Sequence, residues 1–477
     1  MTNWFKQLTG FEETTPEQVR SMLYLDDNWL VSRANQQRWY CGTFHTFSLR
    51  DLYSRLGKIN SYSLPALKVS EQVANVQDLH ADPKNAGALF QVASQFNMLE
   101  MAAPGHTPEM GVGIYQHDNT QGPACAIAAG AGTIWRNYFM PLPGQTGQSK
   151  ELQFDALSLI GKMLGNSNDC LWRMQNGYVA SSLGGLKQIS NAIKAAKPHE
   201  YDALKEALRT GWQADTQITL PGCNHRVHQL YCSALPVAYS KHPPELWEPF
   251  ARLILEAAYE ATLAVAVSRL QEGFNKVYLT LLGGGAFGNK TEWIIDAIRK
   301  ALHKFSGFEL DVVIVSYLKP KAAVTALVEE ITQVFSERHA EHKAAQEAYK
   351  QVKKPKQLSV DEKKEKLNEI VDSWNAITAH EENYAELFAC PVCHEHYQHH
   401  GQAMTLQQII ERINFIQRYN SNVETGGFAM PVCYDCEQVL DVKSPWGLDE
   451  GRATFEYNGI TIERLSKFGG RINWVYI

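Results

Sequence analysis

The regular spacing of apolar and polar positions is clearest between residues 276 and 317. Lys276–Leu282 and Leu310–Tyr317 are short, largely apolar segments typical of buried strands, and Glu292–Phe305 has the apolar spacing of an amphipathic helix. A glycine-rich segment, Gly283–Asn289, joins the first strand to the helix. This succession of strand, loop, helix and strand is a βαβ unit, which predicts a mostly parallel sheet covered by helices.

The same patterns predict further elements along the chain. Strands are predicted at Trp29–Ser32, Trp39–Ser48, Ala86–Val92 and Val227–Ser240, and a small sheet at Arg452–Ile477. Helices are predicted at Leu49–Leu56, from Gln121 onward and at Pro243–Leu270, and residues 150–215 are predicted to be mostly helical. The predicted fold class is therefore α/β.

A change of composition divides the chain into three predicted parts. Residues 1–320 hold the α/β domain with an N-terminal extension. Residues 321–385 are dominated by Lys and Glu and are predicted to form a charged helical arm, for which a plain solvated helix pair is the alternative. Residues 386–477 form a cysteine-containing module followed by strands.

Charge and apolar runs limit the functional classes. A net charge of -6 gives no general electrostatic attraction to nucleic acid or to an anionic membrane. The longest apolar candidate for a membrane span, Leu253–Leu270, is interrupted by Glu256, Glu260 and Arg269. The N-terminus lacks the apolar core of a signal peptide, so a cytoplasmic protein without a membrane partner is expected.

Four cysteines near the C-terminus have the spacing of a zinc site. Cys390 and Cys393 form one C-x-x-C pair, and Cys433 and Cys436 form the other. Four thiolates fill the tetrahedral shell of Zn²⁺, so a structural ion is predicted as the cofactor, with a pair of redox dithiols as the alternative. Modules of this kind often recognise a protein or a nucleic acid, and a partner of either class is left open.

The glycine loop after the strand at 276–282 has a physical use beyond turning the chain. Glycine lets the backbone approach a ligand closely, and the free N–H groups at a helix start attract anions. The loop is neither a Walker motif nor a G-x-G-x-x-G fingerprint, so tight packing is an alternative reading. A second glycine-containing segment, Gly111–Tyr115, also precedes a helix of small residues, and two such loops facing each other suit a nucleotide diphosphate.

The segment Leu279–Asn289 resembles the C-terminal loop of macrodomains. It is most similar to the poly(ADP-ribose) glycohydrolase branch, whose last loop has a Gly-x-Gly-Ala-Phe pattern. The order of a strand at 227–240, a long helix and this loop also follows that family, and Leu89–Glu100 corresponds to its early strand and the start of its ligand loop. The resemblance covers roughly residues 30–320. It implies a macrodomain-like mixed sheet flanked by helices, and ADP-ribose or a related NAD-derived nucleotide as the ligand.

The resemblance also implies which residues form the site. The ligand-binding candidates are Asn97 near the distal ribose, Gly111 and Gly113 in one loop, and Gly283, Gly284, Gly285, Ala286, Phe287, Gly288 and Asn289 in the other. The glycohydrolases have three glycines followed by paired glutamates, and this sequence has no such string. Because a carboxyl group can protonate a glycosidic bond, the catalytic candidates are the nearby acids Glu100 and Asp118, in that order.

Three functions remain open at this point. The first is hydrolysis of an ADP-ribosyl glycosidic bond. The second is binding of ADP-ribose without catalysis, with the zinc module contacting a protein or nucleic-acid partner. The third is a structural or assembly role in which the glycine loops are only turns. A carboxylate placed at the ribose separates the first from the second, and nucleotide binding separates both from the third.

The zinc interpretation predicts about one zinc ion per chain in protein purified without chelator. Cys393→Ser should remove most of the bound metal, because it leaves three thiolates for a tetrahedral ion. The same substitution at Cys170, which lies outside the two pairs, is the control and should leave the zinc content unchanged. Elemental analysis measures both, and a metal-free wild-type protein would contradict the zinc site.

Overall fold

The structure is a computed structural model that describes residues 3–56, 65–352, 451–457, 460–466 and 473–476. The chain divides into two compact units, Met1–His339 and Ala340–Ile477. The division into three parts expected from the composition stays a prediction.

The first unit holds most of the described elements. Its helices are α1 (Trp4–Thr9), α2 (Pro16–Met22), α3 (Leu49–Leu56), α4 (Val76–Ala81), α5 (Gln121–Ala128), α6 (Gly130–Tyr138), α7 (Ser158–Leu164), α8 (Leu183–Ala195), α9 (Pro198–Glu206), α10 (Pro244–Ser268), α11 (Thr291–Lys304) and the start of α12 (Ala322–Val352). Its strands are β1 (Leu23–Asp26), β2 (Trp29–Ser32), β3 (Arg38–Tyr40), β4 (Thr43–Ser48), β5 (Lys68–Val73), β6 (Leu89–Ala93), β7 (Pro141–Leu142), β8 (Gln145–Thr146), β9 (Trp172–Gln175), β10 (Tyr178–Ser181), β11 (Arg209–Gln217), β12 (Arg226–Cys232), β13 (Lys276–Leu279) and β14 (Asp311–Ser316).

The second unit contains the end of α12 and a small antiparallel sheet. Its strands are β15 (Gly451–Tyr457), β16 (Ile460–Ser466) and β17 (Asn473–Tyr476), paired in that order. The sheet predicted at Arg452–Ile477 is therefore found. The four cysteines of the zinc prediction lie outside the described residues.

A seven-stranded mixed sheet forms the centre of the first unit, in the order β4-β11-β12-β6-β13-β14-β5. The strands from β12 to β5 are mutually parallel, and β11 is antiparallel to both of its neighbours. The carboxyl ends of β12, β6 and β13 consequently lie side by side at one edge of the sheet. In open α/β sheets, ligands bind in the crevice outside these ends.

Helices cover both faces of this sheet, and alternate residues of β6 show how. Gln91 points to one face and donates to Thr262 of α10 (2.8 Å), around which α3, α8, α9 and α11 pack. Phe90 points to the other face and stacks on His80 of α4 with ring centroids 3.8 Å apart. Because both faces are buried, β6 is apolar along most of its length, which explains why its sequence shows no clean alternation.

The predicted βαβ unit is confirmed as β13, α11 and β14, and the α/β class with it. The region predicted to be one strand at Trp39–Ser48 is two strands, because the chain turns at Gly42, where φ is +79°. The prediction that residues 150–215 are mostly helical missed β9, β10 and most of β11. The strand β11 lies between β4 and β12, and its burial follows from tertiary pairing that a local pattern does not reveal.

None of the helices described here is both long enough and apolar enough to cross a membrane. The longest apolar one, α10, is buried along most of its length. A helix that is apolar all round is typical of the interior of a large domain.

A buried charge cluster holds the helices around α10 together. Glu260 of α10 is only 3% exposed, and it accepts from Lys205 of α9 (2.8 Å), Lys304 of α11 (2.7 Å) and the Tyr53 hydroxyl of α3. Burial alone would raise the pKa of Glu260, but the two lysines outweigh burial and lower it. The ionised carboxylate therefore joins three helices to the centre of the layer.

Replacing Glu260 by Gln should lower the unfolding free energy by about 3 to 5 kcal/mol, because the buried Lys205 ammonium and the partly exposed Lys304 ammonium lose their counter-charge. A lowered folded-state pKa adds stability that is present above the unfolded pKa near 4.5 and is lost as the pH falls through the folded value. The difference between wild type and Glu260→Gln should therefore shrink below about pH 4.5 in urea unfolding.

The control for this cluster is Glu330→Gln. Glu330 pairs with Arg299 (2.8 Å) but is 41% exposed, so its loss should cost at most about 1 kcal/mol. Equal losses of unfolding free energy in Glu260→Gln and Glu330→Gln would show that the buried cluster stabilises the fold no more than an exposed ion pair does.

Candidate functional site

Three loops meet at the carboxyl ends of β12, β6 and β13, and together they form the candidate site, here called the crevice. They span residues 233–243, 94–120 and 280–290. The loop after β13 is tied to the loop after β12 by two hydrogen bonds. The Ala238 N–H donates to the Phe287 carbonyl (3.0 Å), and Asn289 Nδ2 donates to the Leu235 carbonyl (2.9 Å).

The crevice begins where β6 and β13 part. Their pairing ends at Phe90 and Tyr278, although β6 continues to Ala93. Gln121, the first residue of α5, takes over the freed backbone groups. Its Oε1 accepts from the Ala93 N–H (2.8 Å), and its Nε2 donates to the Gln91 carbonyl (2.8 Å). The Gln121 side chain thus makes the hydrogen bonds that a neighbouring strand would make. Because of this contact, α5 begins directly beside the end of β6.

The glycines of the loop after β13 divide into two kinds. Gly283 and Gly288 have φ values of +71° and +70°, and a Cβ at either would press on the loop after β12, at Ala234 or Ala238. These two glycines are required by the turn and its packing. Gly285 has an open neighbourhood with nothing within 4 Å of a built Cβ, and Gly284, Gly285 and Ala286 are exposed. The middle of the loop therefore presents bare backbone to solvent.

Aromatic side chains border this exposed backbone. The half-buried ring of Phe287 lies 5.5 Å from Tyr178 of the β9–β10 hairpin and 5.6 Å from Tyr239 of the loop after β12, measured between centroids. Tyr239 is 45% exposed. The Tyr178 hydroxyl donates to the Met101 carbonyl (2.5 Å), which ties the hairpin to the loop after β6. The three rings are tilted or edge-on to one another, and together they place apolar ring surface next to the glycine backbone.

Glu100 belongs to the loop after β6 and is 2% exposed. Burial raises the pKa of its carboxyl group to about 7, against the opposing effect of the Arg136 guanidinium. Oε1 accepts from Arg136 Nη2 (3.3 Å), and Oε2 has no hydrogen-bond partner in the part of the chain that the structure describes. A Cβ built on Gly122, at the start of α5, would lie 2.1 Å from the Ala93 carbonyl oxygen and 3.2 Å from the Glu100 Cγ, so glycine is required where α5 passes the end of β6.

The segment Gly111–Tyr115 is buried, and its amides already have an anion. The Glu13 carboxylate accepts from the Val112 N–H (2.9 Å), the Gly113 N–H (2.6 Å) and the Tyr138 hydroxyl (2.7 Å). Burial raises the pKa of Glu13, with these donors opposing it. The segment from the N-terminal extension therefore occupies the position expected for a phosphate. A diphosphate role for Gly111 and Gly113 requires Glu13 to withdraw.

The remaining candidates occupy different environments. Asn97 is fully buried and uses both ends of its amide internally, donating to Gln153 (2.8 Å) and accepting from the Leu99 N–H (3.1 Å). Asp118 is half-buried and accepts from the N–H of Thr120 (2.8 Å), the residue that precedes α5. It is close enough to Tyr178 to help raise the pKa of that phenol, after burial and Tyr239. The ligand-binding and catalytic roles of both residues stay predictions.

Two residues of the site were missed from the sequence. Arg136 had a detectable signal, since it is a single charge in α6, whose other buried residues are small, aromatic or uncharged. Glu13 had none, because the contact joins positions 99 and 100 residues apart. Long-range contacts of this kind follow from the tertiary fold alone.

Within residues 3–56 and 65–344, no group of three or more His, Cys, Asp or Glu side chains is arranged to hold an ion. The crevice contains bare backbone, aromatic rings and the buried Glu100 carboxyl group.

Gly111→Ala should destabilise the protein more than Gly144→Ala. Both positions have φ near +80°, but Gly111 combines it with ψ of 175°, and its Cβ would lie 2.5 Å from the Glu13 Cδ, which three hydrogen bonds hold in place. A Cβ on Gly144 meets nothing within 4 Å. We expect the substitution by Ala to lower the free energy of unfolding by about 1 to 2 kcal/mol at Gly144, and by about 1 to 3 kcal/mol more at Gly111. Equal losses in urea unfolding would show that Glu13 does not hold the segment.

Comparison with known proteins gives similarity at the level of solved structures. No protein-family model and no curated protein matches the chain. Poly(ADP-ribose) glycohydrolase from Deinococcus radiodurans in complex with ADP-ribose is 12% identical, with a TM-score of 0.34, and the match covers 61% of this chain and 95% of that one. The enzyme from Thermomonospora curvata is 12% identical, with a TM-score of 0.29 and coverage of 66% and 97%. At this level of identity, the solved structures to which the chain is similar are poly(ADP-ribose) glycohydrolases.

Proposed function

We propose that the crevice binds ADP-ribose or a related NAD-derived nucleotide and that the protein hydrolyses an ADP-ribosyl glycosidic bond. The observation that carries this proposal is the exposed backbone of Gly284–Ala286 at the carboxyl end of a parallel strand, on the same edge as the loop that contains Glu100. Bare backbone at this position suits the close approach of a diphosphate.

The helix after this loop supports an anionic ligand. The helix α11 begins at Thr291, two residues after Asn289, and Lys290 at its N-cap makes no side-chain cap. The first N–H groups of a helix lack intrahelical partners and carry partial positive charge. The Lys290 ammonium, whose side chain is 40% exposed, lies beside them and also pairs with the exposed Glu245 carboxylate at 3.7 Å. A diphosphate lying over Gly285 would therefore meet donors and positive potential.

The aromatic cluster supports a nucleoside next to the phosphates. Phe287 and Tyr239 present ring surface beside the exposed glycines, and a base or a ribose packs favourably on such rings. The poly(ADP-ribose) glycohydrolase of Deinococcus radiodurans was solved in complex with ADP-ribose, which is the nucleotide proposed here.

Glu100 is the group best suited to act as a general acid. A carboxyl group with a pKa of about 7 holds its proton near neutral pH, and it can donate that proton to the leaving oxygen of a glycosidic bond. The unpartnered Oε2 is the oxygen from which such a proton would leave. Ligand binding must expose this oxygen, since the side chain is almost fully covered.

Two observations favour a second candidate, binding without catalysis. Glu100 is only 2% exposed. The glycohydrolase motif of three glycines followed by paired glutamates is also absent from the sequence. A protein whose carboxyl group never meets the ribose would bind the nucleotide and release it unchanged.

Calorimetric titration of ADP-ribose into the full-length protein tests binding, and micromolar affinity is expected. Gly285→Glu should weaken binding at least tenfold, because it introduces a like charge where the diphosphate is placed. The open space around Gly285 lets the fold accept the new side chain. The matched control is Gly184→Glu, at another open glycine on α8, which should bind as wild type does. Absence of binding at millimolar ADP-ribose would overturn the proposal.

Hydrolysis is tested separately with an ADP-ribosylated peptide. Glu100→Gln should lower the rate of release of ADP-ribose by about 100-fold or more, while leaving the affinity for ADP-ribose within a few fold of wild type. Asp118→Asn is the comparison variant. A larger loss of the hydrolysis rate in Asp118→Asn than in Glu100→Gln would assign the general-acid role to Asp118 and not to Glu100. A wild-type protein that binds ADP-ribose but releases none from the peptide would establish binding without catalysis.

A further inference from the structure

Arg136 connects Glu100 to the rest of the loop after β6. This arginine lies on α6 and is fully buried. Its Nη2 lies 3.3 Å from Glu100 Oε1, and its Nε donates to the Met98 carbonyl (3.0 Å). Met98 has a φ of +62°, a left-handed conformation that is uncommon outside glycine. One guanidinium group therefore binds both the side chain of Glu100 and the strained backbone two residues before it.

The strand β12 fixes this guanidinium from the other side. Arg136 Nη1 donates to the Tyr231 hydroxyl, and Cζ lies 3.7 Å from the centroid of the Tyr231 ring. The Tyr231 hydroxyl donates in turn to Gln229 Oε1 (2.7 Å), and Gln229 Nε2 donates to the Cys125 carbonyl of α5 (2.9 Å). The hydrogen bonds thus run from β12 and α5 to the carboxylate, and the arginine has a single orientation.

We infer that Arg136 is the positioning residue for Glu100. It holds Oε1 and the Met98 carbonyl together and leaves Oε2 as the carboxylate oxygen without a partner among the described residues. A buried guanidinium also stabilises the ionised form of Glu100, so the same contact sets the pH at which the carboxyl group exchanges its proton. The role of Glu100 toward a ligand rests on the proposed function, but the pairing with Arg136 does not.

Few charged or titratable side chains face Glu100, so the effect of Arg136 on its ionisation can be measured separately. They are Arg136 from α6, Tyr231 from β12, Cys125 from α5 and Tyr115 from the turn at 113–117. Burial raises the pKa of Tyr231, Cys125 and Tyr115, so these three are neutral near pH 7. Among the described groups that face it, Arg136 is thus the charge that acts on Glu100 in this range.

The sign of the effect follows from linkage. Because the pKa of Glu100 is raised in the folded protein, the stability difference between wild type and Glu100→Gln is constant with pH below the unfolded pKa near 4.5. Wild type then loses stability relative to the variant as the pH rises, until the difference reaches a plateau near pH 7, the folded value. The position of this plateau measures the ionisation of Glu100 without any ligand or activity.

The experiment compares the unfolding temperature of the full-length protein with that of Glu100→Gln between about pH 4 and about pH 10, in the wild-type and Arg136→Gln backgrounds. We expect Arg136→Gln to move the plateau upward by at least about one pH unit, since the cation that favours ionisation is gone. Arg269→Gln is the matched control. Arg269 is also buried, but it donates to the Gly87 carbonyl (2.7 Å) and does not contact Glu100, so its loss should leave the plateau in place.

A plateau that stays near pH 7 in Arg136→Gln, with stability lowered equally at every pH, would overturn the inference and leave Arg136 with a structural role. If that variant does not fold, Tyr231→Phe replaces it. Removing the hydroxyl loosens the guanidinium while keeping its charge, so a smaller upward shift supports the inference and an unchanged plateau contradicts it. Titration of ADP-ribose into the same samples separates this inference from the proposed function. If the wild-type protein does not bind ADP-ribose, the proposed function is overturned, but the plateau test of Arg136 still stands.

Discussion

The early parting of β6 from β13 is the constraint on which the rest of the site depends. Two parallel strands that stay paired to their ends leave no room between them, whereas here the pairing stops at Phe90 and Tyr278. The freed backbone groups of β6 would cost about 1 to 3 kcal/mol each if they were buried without partners. Gln121 satisfies them, and this contact determines where α5 begins and which way the loop at 94–120 turns.

Buried and half-buried carboxylates are a second theme of the molecule, and their surroundings decide what each one does. Glu260 has two lysines and a tyrosine hydroxyl, so its charge is compensated and it joins helices. Glu13 has backbone donors and a tyrosine, and it holds a loop in place. Glu100 has one guanidinium contact and an oxygen without a partner, so burial dominates and its pKa is raised to about 7. An incompletely satisfied buried group of this kind is typical of a functional position.

The two glycine segments show that similar sequence can serve opposite purposes. In Gly111–Tyr115 the amides point inward to Glu13 and the glycines are buried. In the loop after β13 the flanking glycines make the turn, and the central one is open to solvent. The sequence predicted that both loops bind a diphosphate. In the structure Glu13 accepts from the amides of the first loop, whereas the middle of the second is exposed, and the ligand-binding role of both stays a prediction.

The sequence by itself determined the elements whose apolar spacing is local. The strands and helix of the βαβ unit, the long helix α10 and the start of α5 follow from periodicity and from glycine, because a helix or a buried strand is encoded by neighbouring residues. It also singled out Glu100 and the glycine loop through a resemblance. Tertiary structure alone decided that β11 completes the sheet and that Glu13 fills the first glycine segment. It also decided that Arg136 reaches Glu100, because these contacts join residues 36 to 100 positions apart, and their energy depends on burial that no local pattern records.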